Sequence, residues 1–181
     1  MKAVVTSIGE ATTDLCIWAL KRNGFDVVIY QDGKTLWHKL NRIYRDIDED
    51  FIRVDADVVP NRNLIEDTVK DSAFEAEWWV QFMCYGWFTQ GLIHGGVQYI
   101  KKEALPFLRK EVGEFMHSER PETGLSRIEA FYNPRRFVSS NEVMGIHGYG
   151  QTDIERVKAT KQRRGQYDNY DWELVEKLAA L

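Results

Sequence analysis

Asp55 and Asp57 close a short apolar run, Phe51-Ile52-Arg53-Val54, and lead through Ala56 into Val58, Val59 and Pro60. Carboxylates delivered at the tip of a buried strand suit a hard divalent cation, and Mg²⁺ is commonly held by one or two carboxylates plus substrate phosphates. Alternate side chains of an extended strand point the same way, so the spacing predicts that Asp55 and Asp57 converge on one ion while Ala56 faces away. Asp46, Asp48, Glu49 and Asp50 already make the preceding stretch acidic; further carboxylates there need a cation or an arginine beside them. The competing reading is a turn in which Asp side chains only hold the backbone. A third ligand is expected at His147, in Gly145-Ile146-His147-Gly148-Tyr149-Gly150. Flanking glycines allow close backbone approach, and a borderline ion such as Mn²⁺ accepts imidazole. The plainer alternative is a loop histidine in ordinary hydrogen bonds.

Other residues could serve the same chemistry. Glu119, Glu122 and Glu129 are candidate general bases, Glu122 being restrained by Pro121. Gly95-Gly96 would let backbone pack against a ligand, or mark a plain turn. His94 could touch a substrate, whereas His38 and His117 read as packing or surface residues. Arg156, Lys158, Lys161, Arg163 and Arg164 form a basic run that could bind a diphosphate, grip a polyanionic acceptor, or make a solvated helix face. Tyr167, Tyr170 and Trp172 follow it as stacking platforms or as a structural clasp.

These residues need elements to position them. Ala3 to Ile8 reads as a strand. A helix capped by Thr12 or Thr13 follows, with Leu15, Trp18 and Ala19 on one side and Gly24 as its stop. Val27 to Tyr30 is a second strand. Leu36, Leu40, Ile43, Tyr44 and Ile47 recur at helical spacing, which predicts a helix over 35–47. Residues 51–54 make a third strand, and Asn63 with Glu66 reads as a capping box for the next helix. This alternation predicts a three-layer α/β fold with a mainly parallel central sheet. Right-handed crossovers then bring Thr6, Ser7 and Gly9 to the same sheet edge as Asp55 and Asp57. Beyond residue 74 the pattern changes. An aromatic strand over 78–83, a strand at 97–100, a helix over 103–115, a glycine-rich bend at 145–150 and a terminal helix over 171–181 are expected.

The chain has 181 residues, of which 44% are hydrophobic and 29% charged. That suits one core, so a single domain over 1–181 is expected, with 151–181 as a basic and aromatic C-terminal extension. A net charge of -4 argues against global nucleic-acid binding but permits a local basic patch. Cys16 and Cys84 lie in apolar runs without zinc spacing, so buried free thiols and a cytoplasmic location are expected. No segment reads as a signal peptide or a transmembrane span.

Together, Val4-Val5-Thr6-Ser7, Val54-Asp55-Ala56-Asp57, Gly95-Gly96-Val97, Pro121-Glu122-Thr123 and His147-Gly148 resemble the nucleotide-diphospho-sugar transferases of the GT-A type. The resemblance covers most of residues 1–150. It implies a glycosyltransferase that moves a sugar from a nucleotide-diphosphate sugar, UDP-linked, to an acceptor hydroxyl on a glycan, protein or modified nucleic acid. It places the nucleotide near Thr6, Ser7 and Gly9, with Gly95 and Gly96 against the substrate. Asp55 falls to the ribose or metal, and Asp57 to the Mn²⁺ or Mg²⁺ that bridges the diphosphate. His147 would complete that site, and Glu122 or Glu119 would act as base. Lys161, Arg163 or Arg164 could supplement the metal at the diphosphate. The chain is short for this family, which suggests a separate acceptor-binding partner. The nearest enzymatic rival is a sugar-phosphate nucleotidyltransferase, disfavoured because Gly9-Glu10-Ala11-Thr12 carries no basic phosphate loop. The remaining rival is a non-catalytic assembly module.

Overall fold

Five consecutive residues of the first strand, Ala3 to Ser7, are buried, as a strand covered on both faces requires. The structure, a computed structural model, describes residues 1–32, 35–111, 136–151, 153–163 and 171–179. In chain order the elements are β1 (Lys2–Ser7), α1 (Thr13–Arg22), β2 (Asp26–Gln31), α2 (Leu36–Asp46), β3 (Phe51–Asp55), β4 (Val58–Pro60) and α3 (Glu66–Ser72). Then come β5 (Trp79–Gly86), β6 (Gly91–Ile100), a 3-10 turn (Lys102–Ala104), α4 (Leu105–Glu111), β7 (Phe137–His147), α5 (Ile154–Arg163) and α6 (Trp172–Ala179).

The strands form one sheet in the order β2-β1-β3-β6-β5-β7-β4. β1 pairs in parallel with β2 and β3, and β5 with β7. β6 runs antiparallel to both β3 and β5, and β4 antiparallel to β7. The sheet is therefore mixed, which corrects the expectation of a mainly parallel one. The physical reason is the short Trp87–Gln90 connection, which closes β5 and β6 into a hairpin; a parallel pair needs a far longer crossover.

Helices pack on both faces. One face joins Cys16 and Leu20 of α1 and Val69 of α3 to Ala3, Val5, Ile52 and Val54. The other joins Leu40, Ile43 and Tyr44 of α2 and Leu105 and Leu108 of α4 to Val4, Phe51 and Ile100. Burying these side chains contributes about 1.5–3 kcal/mol each for the larger aliphatics.

Local expectations also change. α1 buries Thr13, Cys16, Ala19 and Leu20, whereas Leu15 and Trp18 face solvent, with Arg22 over the Trp18 ring at 4.7 Å. The Asn63–Glu66 capping box does not form: Ile65 is the N-cap of α3 without a side-chain bond, and the Asn63 amide is held by Asn61. Thr35, not predicted as a cap, receives the His38 amide at the start of α2.

Candidate functional site

β3 stops at Asp55, and Ala56-Asp57 forms a turn before β4. The two aspartates therefore do not sit as alternate residues of one extended strand; this corrects the expectation on which their convergence rested. The last ladder contact is Ala56 N–H to Thr6 O at 3.0 Å. Thr12 Oγ1 then donates to Ala56 O at 2.8 Å, so the loop after β1 grips the turn from the side. The predicted juxtaposition of the ends of β1 and β3 is present: Thr6 Oγ1 donates to Asp55 Oδ1 at 2.9 Å.

The two carboxylates have different surroundings. Asp55 shares a face of β3 with Arg53, whose guanidinium lies 3.5 Å from Asp55 Oδ1 although Arg53 itself is buried. Asp57 is held instead by the end of β7 and the loop after it. Gly148 N–H donates to Asp57 O at 2.8 Å, Gln151 Nε2 donates to Asp57 Oδ2 at 2.7 Å, and His147 Nε2 stands 3.5 Å from Asp57 Oδ1. The left-handed backbone of Gly148 (φ +82°) turns that loop back toward the acidic turn. His147 reaches Asp57 because β7 pairs with β4 in the register Val58↔His147.

Gly95 and Gly96 interrupt the β5–β6 ladder, where the register shifts between Gln81 and Met83. Both have positive φ, and a Cβ on Gly96 would sit 3.0 Å from His147 Cδ2. Gly96 thus packs under His147, whereas a Cβ on Gly95 would meet the Gln81 side chain at 3.8 Å. Trp87 N–H donates to His147 O at 2.9 Å, and the Trp87 ring meets Tyr149 edge-on at 5.1 Å.

Ser7 and Gly9 lie in the loop after β1, which is knotted on itself. Ser7 Oγ donates to Glu10 Oε2 at 2.7 Å, Ile8 N–H donates to the same carboxylate at 2.8 Å, and Gly9 N–H donates to Ser7 Oγ at 2.9 Å. Glu10 belongs to this cluster of contacts, and sequence reasoning used it only to exclude a phosphate loop. Gln151 and Thr12 contact the acidic turn; a polar residue after a glycine bend and a helix-start threonine carry no signal of these contacts.

Electrostatically the carboxyl end of the sheet is short of positive charge around Asp57. Burial pushes the Asp57 carboxyl above the usual range; the His147 charge opposes this, while Asp55 and Glu10 add to it. The Cys16 and Cys84 thiols are driven up to about 12, first by burial and then by Asp55 and Asp57. A cation would offset the cost of charging Asp57, while the two thiols stay protonated. Among the described residues, however, no group of three or more His, Cys, Asp or Glu side chains is gathered to hold a metal. Asp57 and His147 fit as two protein ligands of an ion completed by phosphate oxygens and water. Asp55, engaged with Thr6 and Arg53, does not join them in this arrangement.

Glu119, Glu122, Glu129, His117 and Arg164 lie outside the described residues. Lys161 is half-buried on α5, and its neighbour Lys158 is engaged with Glu155 at 3.3 Å and Glu176 at 2.6 Å, so this part of the basic run helps clasp α5 to α6. No helix among the described residues is long and apolar enough to cross a membrane.

No family model and no curated protein matches the chain. Solved structures do share its fold. A glycosyltransferase involved in the glycosylation of the major capsid of PBCV-1 is 14% identical, with a TM-score of 0.51 over 81% of this chain and 92% of that one. A protein assigned as a glucose-1-phosphate thymidylyltransferase from Bacillus anthracis, in complex with sucrose, is 8% identical, with a TM-score of 0.53 over 93% and 96%. The 4-diphosphocytidyl-2C-methyl-D-erythritol synthase of Anaerococcus prevotii is 12% identical, with a TM-score of 0.53 over 90% and 96%. At these identities the likeness is one of fold.

Proposed function

We propose that this chain is an enzyme of nucleotide-activated sugars, a single domain over 1–181 working with a divalent cation at the carboxyl end of its sheet. The observation that carries the reading is Asp57: a largely buried carboxylate whose proton affinity Asp55 and Glu10 raise further, held by Gln151 Nε2 at 2.7 Å, with His147 Nε2 at 3.5 Å. Mn²⁺ or Mg²⁺, once bound, would neutralise charge on the diphosphate of the donor as its bond to the sugar breaks. Asp57 and His147 would hold the ion, and Gln151 keeps the Asp57 carboxylate aimed. Thr6 fixes Asp55, leaving it to face the ribose. Ser7, Gly9, Gly95 and Gly96 frame the donor, and Trp87 with Tyr149 forms an aromatic rim.

The reaction proposed is sugar transfer from a nucleotide-diphosphate sugar, UDP-linked, to an acceptor hydroxyl of a glycan, protein or modified nucleic acid. Glu122 or Glu119 would take the hydroxyl proton, Lys161 and Arg164 would reinforce the diphosphate end, and a partner protein would supply acceptor contacts. Buried Cys16 and Cys84 fit a cytoplasmic enzyme. Nucleotidyl transfer is the second reading, favoured by the larger share of this chain aligned with the two nucleotidyl-transfer folds, 93% and 90% against 81%. The loop after β1 speaks for sugar transfer: the Ile8 and Gly9 amides are taken by Glu10 and Ser7. It therefore presents a carboxylate where a triphosphate would need donors.

Calorimetric titration with UDP, GDP, ADP, CDP and dTDP, with and without Mn²⁺, tests the shared premise on wild type and Asp57→Ala. One diphosphate, UDP first, is expected to bind only with metal and to lose affinity in the variant. Binding that ignores both metal and Asp57 would remove the site. Release of pyrophosphate from a nucleoside triphosphate plus sugar 1-phosphate, rather than of nucleoside diphosphate from a nucleotide sugar, would select the second reading.

A further inference from the structure

α2 carries an anomaly that the cation site does not use. Its buried residues are Lys39, Leu40, Ile43 and Tyr44, so a lysine occupies a core position of an otherwise apolar helix face. Lys39 is 1% exposed, as buried as the leucine beside it. It makes no side-chain hydrogen bond or ion pair among the described residues; the carboxylates acting on its charge are Asp32 and Glu10, through space only. Burial holds its ammonium below the ordinary lysine range, against the opposing influence of Asp32 and Glu10. A lysine packed among apolar side chains without a carboxylate partner is unfavourable to the fold, and methionine would fill a similar volume without the charge. The placement supplies a reason. α2 follows β2, so its first turns lie at the carboxyl end of the sheet, on the face that also carries Thr6, Arg53 and Asp55. Glu10, one of the two carboxylates felt by Lys39, also acts on Asp57. Lys39 and Asp57 thus share the influence of one carboxylate, Glu10.

We propose that Lys39 is a donor-binding residue whose ammonium is completed by an acceptor oxygen of the bound nucleotide, either a phosphate oxygen or a base carbonyl. This rests on the proposed nucleotide site and adds to it a cationic contact from α2. Division of labour follows: Asp57 and His147 serve the ion, and Lys39 serves the nucleotide directly.

The test is Lys39→Met, with Lys39→Arg beside it, titrated with UDP, GDP, ADP, CDP and dTDP in the presence of Mn²⁺ and melted without ligand. Expected is at least a tenfold loss of affinity for the preferred diphosphate, with an apo Tm equal to or above wild type, because removing an unpaired buried charge relieves the fold. Parallel titrations with the matching nucleoside and with inorganic pyrophosphate separate the two sources: the loss follows the nucleoside if the base is contacted, and pyrophosphate if the phosphate is. Unchanged affinity in Lys39→Met overturns the assignment, as does a lowered Tm that accounts for the loss. The underlying reading fails separately: if wild type binds no diphosphate, or Asp57→Ala binds as wild type, the nucleotide site itself is wrong.

Discussion

Gly96 lies directly beneath His147. A Cβ at Gly96 would stand 3.0 Å from His147 Cδ2 and 2.5 Å from Val58 Cγ2, and the Gly96 backbone is left-handed at φ +78°. The ring and the glycine come from β7 and β6, strands that are not neighbours, so this contact fixes the height of the imidazole over the sheet. Gly96→Ala should lose about 1–2 kcal/mol to left-handed strain and about 1–3 kcal/mol to overpacking, while displacing His147 and weakening Mn²⁺-dependent nucleotide binding. Gly24→Ala is the control, since Gly24 also has positive φ (+89°) but nothing within 4 Å. Urea melts of the two variants should differ by the crowding contribution. Equal losses would mean that Val58 and His147 yield freely and the floor is not shaped by Gly96.

Thr12 joins three parts of the site. Its hydroxyl donates to Ala56 O at 2.8 Å, and its Cγ2 would be 3.0 Å from a Cβ on Gly150. Thr12→Val keeps the shape and removes the donor, which should cost about 1–3 kcal/mol for the buried acceptor left behind and loosen the Ala56-Asp57 turn. Thr12→Ser keeps the donor and should retain cation affinity. Loss of affinity in both variants alike, read by Mn²⁺ titration with UDP, would show that packing rather than the hydrogen bond holds the turn.

How much of this was legible beforehand depends on what each element buries. β1 and β3 announce themselves as continuous apolar runs because both faces are covered, and α2 shows helical spacing because its inner stripe is apolar. β7 escaped reading: Ser139, Ser140, Asn141 and Glu142 interrupt it, and its first half is only partly buried. The direction of β6 is invisible to periodicity, which reports a strand's faces and not its sense; only the short connection between Gly86 and Gly91 hints at a hairpin. Asp55 and Asp57 were singled out by type and spacing. Their separation into an arginine-flanked and a histidine-flanked carboxylate was not, because it depends on a turn and on β4–β7 register set by residues some ninety positions away in the chain. Lys39 was hidden for the opposite reason, since a lysine in an amphipathic helix reads as its solvent face.

Both cysteines sit in the field of the acidic turn. Burial raises the Cys16 and Cys84 thiols from 9.0 to about 12, with Asp55 and Asp57 adding to it. The folded state therefore keeps protons that the unfolded chain releases, and the thiols should destabilise the fold as pH rises from 9.0 toward 12. At pH 8 iodoacetamide should leave both unmodified in the folded protein and alkylate both in urea, read by intact mass. Rapid labelling of either under native conditions would place it nearer solvent than its burial indicates.

Asp57 gives the decisive pH test. Its carboxyl is raised above 3.8 chiefly by burial, so between 3.8 and the raised value the native state holds a proton that the unfolded state has lost. Stability of the metal-free protein must then fall as pH rises through that interval and stay reduced above it, where Asp57 is charged without adequate compensation. Asp57→Asn preserves an acceptor for Gln151 and removes the charge. It should flatten this slope and melt at or above the wild-type temperature at neutral pH. Mn²⁺ with UDP should reverse the order, since a ligand that binds only the native state adds RT ln(1 + [L]/Kd) to wild type and little to the variant. Melting curves from pH 4 to 8, with and without Mn²⁺ and UDP, read both effects at once. If Asp57→Asn gains as much from metal and nucleotide as wild type does, the negative charge at this turn is not what a cation seeks, and the His147–Asp57 pair is a structural contact alone.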